Sequence, residues 1–276
     1  MRLEDDERIG GRPTERARVT RVRDGVVSER PDVLAAEEPL EIRLEGEAVA
    51  VTMRTPGHDT ELAIGFLTGE AIMRPEQIAN VLECRSEEGD GGIVDVTLAP
   101  GTEPSAGWQR NFYATSSCGV CGKASIDAVR VAADPLGTGP TVDRAALEAM
   151  PDALRSAQRV FERTGGLHAA GLFSSEGTAL AVREDVGRHN AVDKVVGRFA
   201  LDRALPLRDR ALLVSGRASF EIVQKALVAD VALVAAVSAP STLAVRLAKE
   251  SGMTLVGFLR PGGFNVYSGP ERIARL

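Results

Sequence analysis

Two of the three cysteines of the chain lie three residues apart in Thr115-Ser116-Ser117-Cys118-Gly119-Val120-Cys121-Gly122-Lys123, among glycines and hydroxyls. Glycine leaves the sulfurs accessible. Lys123 and the first amides of a helix predicted from about Ala124 favour thiolate over thiol, and the thiolate is the form that attacks sulfur or binds metal. A C-x-x-C of this kind serves dithiol redox chemistry, half of a zinc site, or carriage of sulfur as a persulfide. Two idle thiols in a flexible turn is the poorer reading, because free cysteine without chemistry prefers apolar burial. Cys84, between Glu83 and Arg85 in a predicted strand, reads as a structural thiol. An odd cysteine count that includes a close pair fits a reducing compartment, so the cytoplasm is the expected location.

A structural zinc takes four Cys or His ligands. Beyond the pair only Cys84, His58, His168 and His189 remain, at no diagnostic spacing, so neither zinc nor any other bound metal is expected. A thioredoxin-like dithiol belongs near the start of a β-α-β unit, which this segment lacks. Position favours His189 over His168 for function, since His189 lies in a predicted ligand loop and His168 in a predicted strand.

The elements around the thiols can be read from periodicity. The chain has 276 residues, 44% of them apolar, and a formal charge of −6, which suits a globular protein with a core and argues against general nucleic-acid binding. No run approaches a membrane span, and Met1-Arg2-Leu3-Glu4-Asp5-Asp6-Glu7-Arg8 lacks the pattern of a signal peptide. Residues 1–18 are charged and aperiodic and are expected to be a disordered leader. An α+β domain is predicted over 19–140. Leu40, Ile42 and Leu44, then Val49, Val51 and Met53, flank Glu45-Gly46-Glu47 as a hairpin. A helix starts at Asp59 or Thr60, strands fall near 79–84, 92–98 and 109–114, and a helix runs over 123–131.

Asp134-Pro135-Leu136-Gly137-Thr138-Gly139-Pro140 reads as a linker. A second domain over 141–276 begins with a helical region, 143–163, interrupted or restarted at Pro151. A hairpin of strands 167–173 and 178–182 follows. Helices 188–202, 218–228 and 240–251 then alternate with strands 210–215, 231–237 and 253–258, which predicts a three-layer α/β sandwich with a largely parallel sheet. In such sheets ligands bind beyond the carboxyl ends of the strands. The loops expected at that edge are 184–190 with Arg188 and His189, 215–219 with Ser215 and Arg217, 238–241 with Ser238, and Arg260-Pro261-Gly262-Gly263-Phe264-Asn265. Helix-start amides and arginines suit a phosphate-bearing ligand. The same serines and glycines could equally be caps and turns, and Phe258 and Phe264 could supply planar groups for a base or simply pack in a core.

Ser117–Lys123, Thr55-Pro56-Gly57-His58-Asp59 running into Glu61–Leu67, and Glu184–Lys194 resemble the FdhD family, the formate dehydrogenase accessory sulfurtransferases. The resemblance continues through Ser215-Gly216-Arg217, Ser238–Ser241, Leu255–Phe258 and Asn265-Val266-Tyr267, from about residue 20 to the end. It implies a sulfurtransferase that accepts persulfide sulfur from a cysteine desulfurase and passes it to a molybdenum cofactor carrying two pterin guanine dinucleotides, which then serves formate dehydrogenase. By the same resemblance Cys118 would be the persulfide carrier and Cys121 its partner. The Gly257–Asn265 region, with Phe258, Leu259 and Arg260, would contact the guanine dinucleotide. The expected assembly is a homodimer, with no membrane or nucleic-acid partner.

The element order of the second domain also resembles the cytidine deaminase-like fold. The zinc motif of the deaminases is missing, because Arg188-His189-Asn190-Ala191 has no glutamate two places after its histidine and Gly216-Arg217-Ala218-Ser219-Phe220 has no cysteine. Two other functions stay open at this point: a cofactor-binding chaperone without sulfur transfer, and a dithiol oxidoreductase.

Overall fold

The computed structural model describes residues 11–85, 91–105 and 135–276. Cys118 and Cys121 lie outside the described residues, as do the strand expected over 109–114 and the helix expected over 123–131. The described chain opens on an antiparallel ribbon of β1 (Thr14–Arg23) and β2 (Val26–Ala35), turned at Asp24-Gly25 with φ of 50° and 78°. Two positive φ values in a two-residue turn match the right-handed twist of the strands. The expected leader is therefore corrected over residues 14–18, which belong to the strand, while residues 1–10 lie outside the described residues. Much of the ribbon is exposed on both faces, so its apolar alternation is weak.

A four-stranded sheet follows, built from β3 (Glu38–Leu44), β4 (Glu47–Arg54), β5 (Ile78–Arg85) and β6 (Gly92–Leu98) in the order β4-β3-β6-β5. The β3–β4 hairpin stands where the alternation of Leu40, Ile42 and Leu44 placed it. These three residues form a core with Val94 and Val96 of β6 and with Leu62, Ile64 and Leu67 of α1 (Asp59–Gly69).

In the second half, β7 (Val142–Asp143) leads into α2 (Arg144–Ala157) and α3 (Arg159–Thr164). Next come β8 (His168–Phe173), β9 (Ala179–Asp185), α4 (Arg188–Leu201), β10 (Ala211–Val214) and α5 (Phe220–Val228). The chain continues through β11 (Leu233–Ala236), α6 (Thr242–Glu250), β12 (Thr254–Arg260), β13 (Gly263–Ser268) and β14 (Ile273–Ala274). Helix α2 passes through Pro151 and ends at Gln158 instead, a correction to the expected break. One missing amide is tolerated because Leu147, Met150 and Leu154 anchor the helix in the core.

The six-stranded sheet has the order β13-β12-β11-β10-β8-β9. The β10–β11 and β11–β12 pairings are parallel and the β8–β9, β8–β10 and β12–β13 pairings antiparallel, so the expected largely parallel sheet is in fact mixed. Strand residues alternate between two cores. Leu212, Val214 and Val234 face Val192, Val195, Ile222 and Ala244 of α4, α5 and α6, whereas Ala211, Leu213 and Leu233 face Leu147, Met150 and Leu154 of α2. The sheet thus lies between helices on both faces.

The two halves meet backbone to backbone. A Cβ on Gly65 of α1 would lie 1.8 Å from the carbonyl oxygen of Asp193 on α4, and one on Gly197 would lie 1.8 Å from that of Glu61. Glycine at both positions lets the two helices cross in contact.

Candidate functional site

The parallel strands β10, β11 and β12 end at one rim, and backbone hydrogen bonds join the segments beyond them. Val237 N donates to Val214 O (3.0 Å), Ser238 N to Gly216 O (3.3 Å), Ser241 N to Ala218 O (3.0 Å) and Phe258 N to Ser238 O (3.1 Å). These bonds bring the segments that carry Ser215, Arg217, Ser238 and Phe258 together at one rim. A Cβ on Gly257 would stand 2.9 Å from Pro240 Cδ, so glycine sets how closely the second and third segments approach. Phe258 takes φ of 54°, a left-handed conformation that costs an aromatic residue about 1–2 kcal/mol. It leaves the ring partly exposed at the rim.

The side chains at the rim divide into those turned to solvent and those already engaged. Arg217 is exposed and makes no ion pair or side-chain hydrogen bond with a described residue. Arg188, at the start of α4, has a buried Nε without a hydrogen-bond partner among the described residues. A Cβ on Gly216 would lie 3.4 Å from His168 Nδ1 and 4.0 Å from Arg188 Cδ, so these two side chains flank the glycine. Burial pushes the His168 imidazole below its ordinary value, and the charges of Arg188 and His189 push the same way against Asp185. The Ser215 hydroxyl is engaged, accepting from Ala169 N at 2.8 Å.

Three expectations change. The Arg260–Asn265 segment is a hairpin between β12 and β13, turned at Pro261-Gly262 with Gly262 at φ 86°, so it presents exposed Arg260, Pro261 and Asn265 but no helix-start amides. Leu259 is fully buried in the core and Phe264 packs against that core, so both turn away from any ligand at the rim; for Leu259 the register shift between Gly257 and Arg260 puts it in the same core as Val256. His189 is committed to α5, with Nε2 3.0 Å from Ser219 Oγ and 2.8 Å from Glu221 Oε2. It holds two helix starts together beside the rim.

The segments 55–59 and 184–194 meet in a buried polar network. Asp185 Oδ2 accepts from Thr55 N (3.1 Å) and pairs with Lys194 Nζ (2.7 Å), while Asp185 Oδ1 accepts from Gly187 N (2.8 Å) and Asn190 Nδ2 (2.9 Å). Lys194 Nζ also donates to Thr55 O at 2.8 Å. Arg54 is 1% exposed and takes both oxygens of Asp59, at 3.0 and 2.7 Å, and Glu38 at 3.0 Å. Lys225 bridges Asp193 (2.8 Å) and Glu70 (3.1 Å). Burial pushes the Asp193 carboxyl up to about 6 against the pull of Lys225, and Asp193 and Glu70 hold Lys225 charged. The contacts of Lys225 with Glu70, of Asp185 with Thr55 N and of Lys194 with Thr55 O cross the junction of the two halves, so the network helps to position the 184–190 loop.

Glu61 on α1 belongs to the same layer. Burial alone would raise its carboxyl, but hydrogen bonds from Arg183, including one of 2.7 Å, and from His58 outweigh it and hold the group down to about 2. A folded value below the ordinary 4.5 contributes stability that is complete above pH 4.5 and lost as pH falls towards 2. The expected loss is roughly 3 kcal/mol. Denaturant melts between pH 6 and 2.5 should show this slope, and Glu61→Gln should flatten it.

The matched family model, described as the FdhD/NarQ family, covers residues 35–274. The chain belongs to the FdhD/NarQ family. A sulfur carrier protein FdhD of Streptomyces avermitilis is 56% identical and aligns with 96% of this chain and 97% of its own. One of Mycobacterium tuberculosis is 54% identical over 95% and 99% of the two chains. A crystal structure described as a candidate formate dehydrogenase accessory protein from Desulfotalea psychrophila superposes with a TM-score of 0.73. It is 26% identical, over 94% of this chain and 99% of that one. The β1–β2 ribbon lies almost wholly outside the part matched by the FdhD/NarQ model, which begins at its last residue.

Among the described residues no three His, Cys, Asp or Glu side chains converge as a metal cage, and no helix is long and apolar enough to cross a membrane.

Proposed function

We propose that this chain is a sulfurtransferase that takes persulfide sulfur from a cysteine desulfurase onto Cys118. It then passes that sulfur to the molybdenum bis(pterin guanine dinucleotide) cofactor used by formate dehydrogenase. What carries the reading is the match to a family whose near relatives are named sulfur carrier proteins, over nearly the whole chain. The loading step balances as thiol exchange. The Cys118 thiolate attacks the terminal sulfur of the donor persulfide, a new S–S bond forms on Cys118, and the donor leaves as a thiolate. Cys121 assists transfer from the same loop. The work is assigned to the reducing cytoplasm, where these thiols stay reduced.

The rim supports the acceptor half of the reading. Arg217, Arg188 and the starts of α5 and α6 suit a pyrophosphate, and Phe258 offers a planar face for a base. The helix–strand order after the β8–β9 hairpin supports the cytidine deaminase-like assignment of this half, with the cofactor as cargo at the rim and no resident zinc.

Intact mass after incubation with a cysteine desulfurase and cysteine tests the carrier directly. A gain of one sulfur atom per chain is expected, and no gain points to a cofactor-binding chaperone. The acceptor site is tested by calorimetry with GDP and ADP. GDP should bind more tightly, because buried polar groups shaped for guanine are left unpaired by adenine. Arg217→Ala should cost about 1.5–3 kcal/mol by removing a charge-assisted phosphate contact. Equal, weak binding of the two nucleotides would remove the site from this rim.

A further inference from the structure

At the root of the ribbon a cleft of about 820 Å³ is lined by Arg12, Thr14, Glu15, Arg16, Glu38 and Arg163. The root is closed by Ala36 N donating to Pro13 O at 3.0 Å, which sets β1 beside the start of β3. The charges around the cleft do not balance. Glu38 is held by Arg54, whose remaining nitrogens are taken by Asp59. Arg12, Arg16 and Arg163 make no ion pair or side-chain hydrogen bond with any described residue, which leaves Glu15 as the one uncommitted carboxylate among the described residues of the lining. Three unpaired guanidinium groups therefore face one concave space on a chain of net charge −6.

We propose that this cleft is a binding site for a polyvalent oxyanion, a di- or polyphosphate or a polycarboxylate. The volume falls in the range of small-molecule sites. A guanidinium presents a planar fork of N–H donors that matches a phosphate or carboxylate edge, and several forks around one space favour a ligand with several such edges over a monoanion. Thr14 adds a hydroxyl donor. Thr14 and Arg16 share one side of β1, Arg12 lies just before the strand, and Arg163 approaches from the end of α3, so the donors come from separate elements. The site uses none of the rim residues Arg188, Ser215, Arg217 and Ser238, and it stands whether or not the chain carries sulfur.

The test is calorimetric titration of the full chain at low salt with inorganic pyrophosphate and, separately, citrate. Saturable binding of at least one of them is expected, with pyrophosphate the tighter if the ligand is a phosphate compound and citrate if it is a polycarboxylate. In an Arg217→Ala background, which removes the phosphate contact proposed at the rim, Arg16→Ala combined with Arg163→Ala should weaken that binding at least tenfold. Both cleft residues are exposed, and an unchanged thermal melt verifies that the double variant folds. The proposal is overturned if neither anion binds the Arg217→Ala chain, or if adding the double substitution to that chain leaves the binding as it was.

Discussion

Replacing Cys118 with alanine is expected to abolish both loading of sulfur onto the chain and activation of a formate dehydrogenase. The effect should be all or none, because a persulfide needs a sulfur to hold it. Cys121 has no desulfurase-facing role in the proposed exchange, and Cys84 is a partly buried residue of β5. Incubating the variant with desulfurase and radiolabelled cysteine, then separating it under non-reducing conditions, reads the first step. Reconstituting dehydrogenase activity reads the second. Cys121→Ala should load but transfer poorly. GDP affinity should be unaltered in the Cys118 variant, which separates a defect in carriage from a defect in binding. Label retained on the Cys118 variant together with restored dehydrogenase activity would show that another group carries the sulfur.

The second large effect is on stability. Gly65→Ala, and equally Gly197→Ala, should cost about 3 kcal/mol or more, because the added carbon is driven into a backbone carbonyl of the facing helix. Alanine favours a helix over glycine by about 1 kcal/mol, so propensity alone predicts a gain. The 1.8 Å approach decides the sign, since the obstacle is main chain and cannot rotate away. Helices α1 and α4 would have to separate, and the contacts of Asp185 and Lys194 with Thr55 and of Lys225 with Glu70 would lose their alignment. Urea midpoints of the two variants measure the loss. A midpoint at or above that of the parent would mean that the helices do not cross in contact.

The two halves of the molecule were unequally legible in the sequence. Four-residue buried strands such as Ala211–Val214 and Leu233–Ala236 stand out because continuous apolar runs alternate with amphipathic helices, and the rim follows from where those strands end. The hairpin of β12 and β13 was hidden by its own turn. Pro261-Gly262-Gly263 has the composition of a ligand loop, and the alternation of Phe264 and Val266 behind it marks a strand. Nothing local could reveal that Glu61 answers to Arg183, 122 residues away, or that His189 is occupied by Ser219 and Glu221. Such pairings are set by the crossing of helices and not by spacing along the chain. The left-handed turn at Phe258 was equally invisible, because it follows from the hydrogen bond to Ser238 in a neighbouring segment.

The ladder of main-chain bonds that joins Gly216, Ser238 and Phe258 also has an evolutionary consequence. Because the shape of the rim is fixed by amides and carbonyls that every residue type except proline carries, the side chains at Arg217, Ser238 and Arg260 can be exchanged without remodelling the frame that displays them. Ligand preference there is therefore open to change by single substitutions. A library randomised at these three positions should retain folding in most members while diverging in which nucleotide it binds.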